Sequence, residues 1–184
     1  EITTNHFGDM NRLKAMIYAA KECGADYVKL QRRNVQTFYS KKELTSKYYS
    51  PFGETFLDYR NALELDNRLF SEVDKFCKNI GIKWFASVLD LHSFKEMLKL
   101  KPKIIKLPST ISLHKEYIKY VAKNYKGEIV ISTGYTNSLY EKFILRNFKN
   151  AKKIYLLQCT SAYPAPLKDL NINVVNHYDY LSKK

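Results

Sequence analysis

Residues 156–166 read LLQCTSAYPAP. An apolar run of the kind that fills a buried strand stops in small polar residues, an aromatic and two prolines. The same ending recurs upstream. VKLQ (28–31) ends in Lys29 and Gln31, FASVLD (85–90) carries Ser87 and Asp90, and KIIKLPS (103–109) ends in Lys106 and Ser109. VISTGY (130–135) carries Ser132, Thr133 and Gly134, and the quoted stretch itself carries Thr160, Ser161 and Tyr163. In parallel α/β folds the apolar residues fill the sheet, and ligands bind beyond the carboxyl ends of the strands. Taken singly, each polar end reads as a solvent-facing charge, a turn or a strand stop. Two lysines and four serines placed alike read as an anion site. Lysine supplies a point charge for phosphate or carboxylate. Serine hydroxyls and glycine N–H groups add short-range donors.

The segments between these endings show helical spacing. Met10, Leu13, Ile17 and Ala20 share a face, as do Leu69, Val73, Phe76 and Ile80. Tyr117, Val121 and Ala122 form a third group, and Leu139 with Phe143 a fourth. Gly24 and Gly81 follow helical runs, where a terminating glycine belongs. His92 and His114 begin helices. Strand segments are expected at 1–3, 26–31, 83–90, 103–109, 128–135 and 153–161. Strand–helix alternation argues for parallel strands with helical crossovers. Continuous apolar runs argue for strands covered on both faces. Residues 32–65, rich in Tyr, Phe, Ser and Lys, read as a long functional or disordered loop.

With 184 residues, 45% of them hydrophobic, the chain suffices for one domain with a core. It is shorter than the roughly 250 residues of a closed eight-unit barrel. The net charge of +13 comes from scattered lysines, without a basic block or an RNA-binding signature. It therefore reads as solvated helix faces and not as a nucleic-acid surface. No run approaches the roughly 18 apolar residues of a membrane helix, and no signal peptide is visible. Three widely spaced cysteines without a CxxC pair fit a reducing, cytoplasmic setting. Cys23 and Cys77 are expected to be buried in helices.

In order and spacing the segments resemble the sialic acid synthase family, whose members condense phosphoenolpyruvate with an N-acetylated amino sugar. EITTNHFGD (1–9) is similar to the family's EIGINHNGD opening, and VKLQ to its VKFQ strand. PFGETFLDYRNALE (51–64) is similar to PxGETxxxYRxxLE. FAS…D, KLPS (106–109), STG (132–134) and CTSAYPAP (159–166) follow in the family's order. The resemblance implies an α/β fold, a (β/α)8 TIM barrel. Residues 1–184 would form a partial barrel of about six strands, with strands seven and eight missing and the C-terminal antifreeze-like domain absent. It implies that Lys29 and Lys106 face the carboxylate of phosphoenolpyruvate, and that Ser109, Ser132, Ser161 and the Gly134 backbone face its phosphate. Gln31 and Tyr163 would touch the sugar, and Glu1 would stand near the reacting carbons as an acid/base group. Ser87, Thr133 and Thr160, at the same strand ends, complete the expected substrate-binding set.

In the family a divalent ion, manganese or magnesium, polarises the sugar aldehyde. Its two histidine ligands lie in SDH-like and EKHF-like motifs beyond Lys184. His6, His92, His114 and His177 match neither motif, so no metal ligand is expected in this chain and little or no activity of these residues alone. Thr3 and Thr4 depart from the family's opening, and Gln158 stands where a histidine is common. The expected partners are phosphoenolpyruvate and an amino sugar, with no nucleic acid and no membrane; family members are homodimers. N-acetylmannosamine is the default sugar. The 2,4-diacetamido precursors of legionaminic or pseudaminic acid, and spore-coat polysaccharide precursors, fit the same motifs. Three alternatives stay open: a non-catalytic remnant of the family, an aldolase with Lys106 as Schiff-base lysine, and a basic nucleic-acid binder.

Overall fold

Asp9 starts the first helix by accepting the Asn11 and Arg12 N–H groups, which have no partner inside a helix. Helix α1 (Met10–Glu22) follows and buries Leu13 and Ile17. It belongs to a computed structural model that describes residues 1–182, in two compact units that divide between Pro102 and Lys103.

In the first unit, α1 ends at Cys23 and Gly24, whose φ of 82° only glycine adopts freely. Strand β1 (Tyr27–Arg32) comes next. An excursion then contains α2 (Val35–Phe38), α3 (Lys41–Leu44), β2 (Lys47–Ser50), β3 (Gly53–Thr55) and α4 (Phe56–Leu63). Helix α5 (Asn67–Ile80), capped by Asp66, leads through Gly81 into β4 (Lys83–Val88) and α6 (Leu91–Leu98). Strands β1 and β4 pair in parallel, from Tyr27 opposite Lys83 to Arg32 opposite Val88. The opening residues lie parallel to β1 as well: Ile2 N–H donates to the Lys29 carbonyl at 3.0 Å, and Thr3 bridges to Leu30.

The excursion corrects the expected loop. Its helices have four, four and eight residues, too short to show a helical period, and KYYS and GET show no strand alternation. Polar caps organise it instead. Ser40 with Glu43 and Thr55 with Asp58 form reciprocal capping boxes. Thr55 holds the Asp58 carboxyl below its usual range. A side chain on Gly53 would strike Asp58. Strands β2 and β3 form an antiparallel pair, so pairing among the described strands is not parallel throughout. Around the hairpin, the Tyr39, Tyr48, Phe56 and Tyr59 rings pack at 4.5–6.2 Å.

The second unit alternates strand and helix. It contains β5 (Ile104–Leu107), a 3-10 turn (Ser109–Ile111), α7 (Lys115–Asn124), β6 (Glu128–Ser132), α8 (Ser138–Asn147) and β7 (Lys153–Leu157). A second 3-10 turn (Leu167–Asp169) and α9 (Val174–Ser182) end it. Strand β6 pairs in parallel with β5 and with β7. Ile105, Leu107, Ile129 and Ile131 are fully buried, whereas Lys106, Val130 and Tyr155, level with one another on the opposite face, are half-buried. Burial along β5, and along β6 as far as Ile131, thus alternates, although their sequences are largely apolar.

Cys77 is buried as expected, and burial pushes its thiol up to about 12. Cys23 is not; it sits at the exposed C-cap of α1, past the last buried turn. Asp90, not His92, caps α6, and His114 stands at the N-cap of α7 without a side-chain bond. Among the described residues no helix is long and apolar enough to cross a membrane.

Candidate functional site

Side chains alternate along a strand, and β1 sends Val28 and Leu30 into the core, at 2% and 0% exposure. Lys29 and Gln31 therefore share the other face, and Arg33 continues it past the strand end. The Lys29 ammonium donates to the Glu1 carboxylate. It also lies 3.5 Å from Ser87 Oγ, which β4 contributes two pairs further along the register, opposite Gln31. Ser87 is 3% exposed. Glu1, Lys29 and Ser87 thus form one cluster of carboxylate, ammonium and hydroxyl.

Gln31 is held differently. Its Oε1 accepts from Arg33 Nη2 at 2.6 Å. Arg33 Nη1 donates to the Tyr39 hydroxyl at 2.6 Å. Arg33 Nε lies 3.0 Å from Glu64 Oε1, close enough for the charges to pair but not aligned as a hydrogen bond. Glu64 also accepts from the Arg33 backbone N–H at 3.3 Å and from Arg60 Nη2 at 2.9 Å. Burial raises the Glu64 carboxyl, against the pull of the two guanidiniums. Sequence reading picked out the motif that carries Arg60 and Glu64 but gave neither residue a role. The signal for Arg33 was its place two residues after Gln31.

His6 is 2% exposed, and its Nδ1 accepts the Gly8 N–H at 3.0 Å. Burial lowers its pKa below 6.5. Asp90 is tied to the fold: it accepts from Ser93 N–H, the Ser93 hydroxyl and the Asn34 N–H, at 2.7–2.8 Å.

In the second unit Gly134 is the centre of a cradle. Its N–H donates to Ser109 Oγ at 3.2 Å, and its carbonyl accepts from Ser112 at 3.4 Å. A Cβ on Gly134 would lie 2.1 Å from Ser161 Oγ and 2.6 Å from Ser109 Oγ. The two hydroxyls therefore close on the bare Cα from strand ends far apart in sequence. Ser132, at 1% exposure, has a buried hydroxyl with no hydrogen-bond partner among the described residues. A buried unpartnered hydroxyl is costly, and a bound anion would satisfy it. Lys106 stands on β5 two residues before Pro108.

Other expected residues serve the fold or face solvent. Thr133 donates to the Leu157 carbonyl at 2.9 Å and accepts from the Tyr178 hydroxyl at 3.0 Å. Thr160 donates to the Asp169 carbonyl at 2.9 Å. Tyr163, in a cis peptide bond with Pro164, is 100% exposed and stands apart from the cradle. Tyr135 adds a contact that sequence reading missed, its hydroxyl donating to the Ser161 carbonyl at 3.0 Å. The expected residues Thr133, Thr160 and Ser161 nonetheless line, with Tyr135, Gln158 and Tyr178, a polar cavity of about 410 Å³ beside these strand ends. Among the described residues no three His, Cys, Asp or Glu side chains gather in a way that could hold a metal ion. The described residues therefore do not by themselves fit the divalent ion that the resemblance implies.

The NeuB family model matches residues 16–181. Human N-acetylneuraminate-9-phosphate synthase is 32% identical over 98% of this chain and 51% of its own length. The N,N'-diacetyllegionaminic acid synthase of Campylobacter jejuni is 32% identical over 95% of this chain and 54% of its own length. The chain thus spans about half the length of these curated relatives. Among solved structures, the N-acetylneuraminic acid synthetase of Leptospira borgpetersenii, in complex with citrate, superposes with a TM-score of 0.79. It is 22% identical and matches over 99% of this chain and 59% of its own. The phospho-2-dehydro-3-deoxyheptonate aldolase of Thermotoga maritima superposes with a TM-score of 0.60 at 11% identity, over 91% of this chain and 44% of its own. At these identities the two structures speak for the fold alone.

Proposed function

Because the chain belongs to the NeuB family, we propose that its chemistry is the condensation of phosphoenolpyruvate with an N-acetylated amino sugar, giving a nonulosonic acid and phosphate. On this reading the five parallel strands are part of a (β/α)8 barrel. The observation that carries the proposal is the cradle at Gly134. Two hydroxyls converge on a residue without a side chain, and the Ser132 hydroxyl nearby in sequence is buried without a hydrogen-bond partner among the described residues. Such a set of short donors suits a phosphate, and Lys106 would add the positive charge. The alternatives from aldolase or nucleic-acid chemistry do not account for this cradle.

In the reaction the methylene carbon of phosphoenolpyruvate bonds to the aldehyde carbon of the open-chain sugar, whose oxygen takes a proton. Water adds at the carbon bearing the phosphate, gives up a proton, and the C–O bond to phosphate breaks. Glu1 is the group for the water's proton. Its carboxylate is held by a hydrogen bond from the Lys29 ammonium, and a carboxylate can act as a general base. Gln31 meets the sugar.

The test is calorimetric titration of the purified chain with phosphoenolpyruvate. Binding is expected, and the Ser109→Ala/Ser161→Ala double variant should weaken it tenfold or more. Absence of binding, or binding that ignores this substitution, would overturn the reading.

A further inference from the structure

Gln31 is the residue through which the proposed reaction reaches its sugar, and an amide side chain is ambiguous. One end accepts hydrogen bonds, the other donates them, and a half-turn exchanges the two. A guanidinium only donates, so the atom of Gln31 that faces Arg33 Nη2 at 2.6 Å is the oxygen on chemical grounds. Among the described residues nothing accepts from the other end of the amide.

Arg33 is in turn unable to swing away. Its Nη1 is taken by the Tyr39 hydroxyl, and its Nε and backbone N–H lie against Glu64. Its guanidinium lies over the Phe38 and Tyr39 rings, 5.4 and 5.9 Å from their centroids. Glu64 is fixed by Arg60, which sits between the Tyr39 and Tyr59 rings. The side chains of Arg33, Glu64 and Arg60 are only 11%, 12% and 9% exposed. This is more apparatus than one strand end needs for stability, because a buried ion pair is seldom more stabilising than apolar residues of the same volume.

We propose that Arg33 is a positioning residue that turns Gln31 into a fixed hydrogen-bond donor, so that the atom of the sugar it meets is an oxygen acceptor. The inference rests on the condensation reading for the identity of the ligand, and on geometry alone for the orientation of the amide. It gives the site a polarity: an acetamido carbonyl or a hydroxyl oxygen is accepted at Gln31, and an ammonium group is rejected. Where the 2-substituent of the sugar is the group that meets Gln31, N-acetylmannosamine is favoured over mannosamine.

The experiment uses the ¹⁵N-labelled 184-residue chain. Nuclear relaxation of the Gln31 side-chain NH₂ should show a rigid group in the wild type and a mobile one in Arg33→Met. Titration should show N-acetylmannosamine bound at least tenfold more tightly than mannosamine. Gln31→Glu can still pair with Arg33 but has no N–H to offer, and should lose tenfold or more in affinity while keeping the fold. Arg33→Met leaves the Glu64 carboxylate with Arg60 as its charged partner, so a second variant, Arg33→Met/Glu64→Gln, tests whether any stability lost comes from that carboxylate. It should recover stability without recovering affinity, whereas Arg33→Lys, which keeps one donor, should recover part of it. An equally mobile Gln31 amide in wild type and Arg33→Met would overturn the inference. So would a double variant that regains affinity together with stability. A rigid amide in a chain that binds no amino sugar would uphold the orientation and overturn the condensation reading instead.

Discussion

Gly134 carries a steric constraint at the proposed anion site. Alanine there would drive its Cβ into the Ser109 and Ser161 hydroxyls. Both are free ends of side chains and can rotate aside, so the strain falls on the cradle and not on the backbone. Gly134→Ala should therefore unfold within a few degrees of the wild type yet lose tenfold or more in affinity for phosphoenolpyruvate, measured side by side by melting and calorimetry. His6 makes a second prediction. Its folded pKa is lowered by burial, so the folded state resists a proton that the unfolded chain takes up near pH 6.5. Stability from this group is complete above pH 6.5 and is lost as the pH falls from there toward the folded value. His6→Asn keeps an acceptor for the Gly8 N–H but does not titrate. Urea midpoints should fall more steeply between pH 7 and pH 5 in the wild type than in the variant. An identical slope would remove His6 as the cause.

Among the elements, α6 depends most on one side chain. Asp90 accepts three hydrogen bonds, two at the start of α6 and one from Asn34 at the start of the excursion. Asp90→Ala should cost about 1–2 kcal/mol in urea unfolding. Asp90→Asn should cost less, because one oxygen can still cap the helix. The parallel strands and the existence of the longer helices were legible in the sequence, through apolar runs such as KIIKLPS and the glycines at helix ends. The helical faces were read about one residue off: α5 buries Phe70, Val73 and Cys77 while Leu69 and Phe76 are half-buried, and α8 buries Tyr140 and Ile144 while Leu139 is 69% exposed. The excursion was not legible, because its elements are stabilised by capping boxes and ring contacts that leave no period in the sequence. The site was legible by residue type and less so by use. Lys29 turns to Glu1 and Ser87, and Ser109 and Ser161 close on Gly134. Asp90, Thr133 and Thr160 end strands in the same way but spend their oxygens on the fold, a distinction set by partners distant in sequence.

At the scale of the whole molecule, the two units differ in how far apart their paired strands lie along the chain. Strands β5, β6 and β7 pair over separations of 24 and 25 positions (104 to 128, 128 to 153). Strands β1 and β4 pair over 56 (27 to 83), because the capped excursion is inserted between them. Closing the longer loop costs only about 0.7 kcal/mol more in chain entropy if the loop is flexible. The consequence is kinetic before it is thermodynamic, since distant pairings are slow to find. During refolding, amide protons of Ile129 and Ile131 should become protected from exchange before those of Leu30 and Ala86, in pulse-labelling read by mass spectrometry. The segment that supplies Tyr39, Arg60 and Glu64 to Gln31 would thus delay the half of the chain it serves. For that interval the Lys29 strand would stand open as an unpaired template, the point in the life of the chain at which a chaperone or a second copy could seize it.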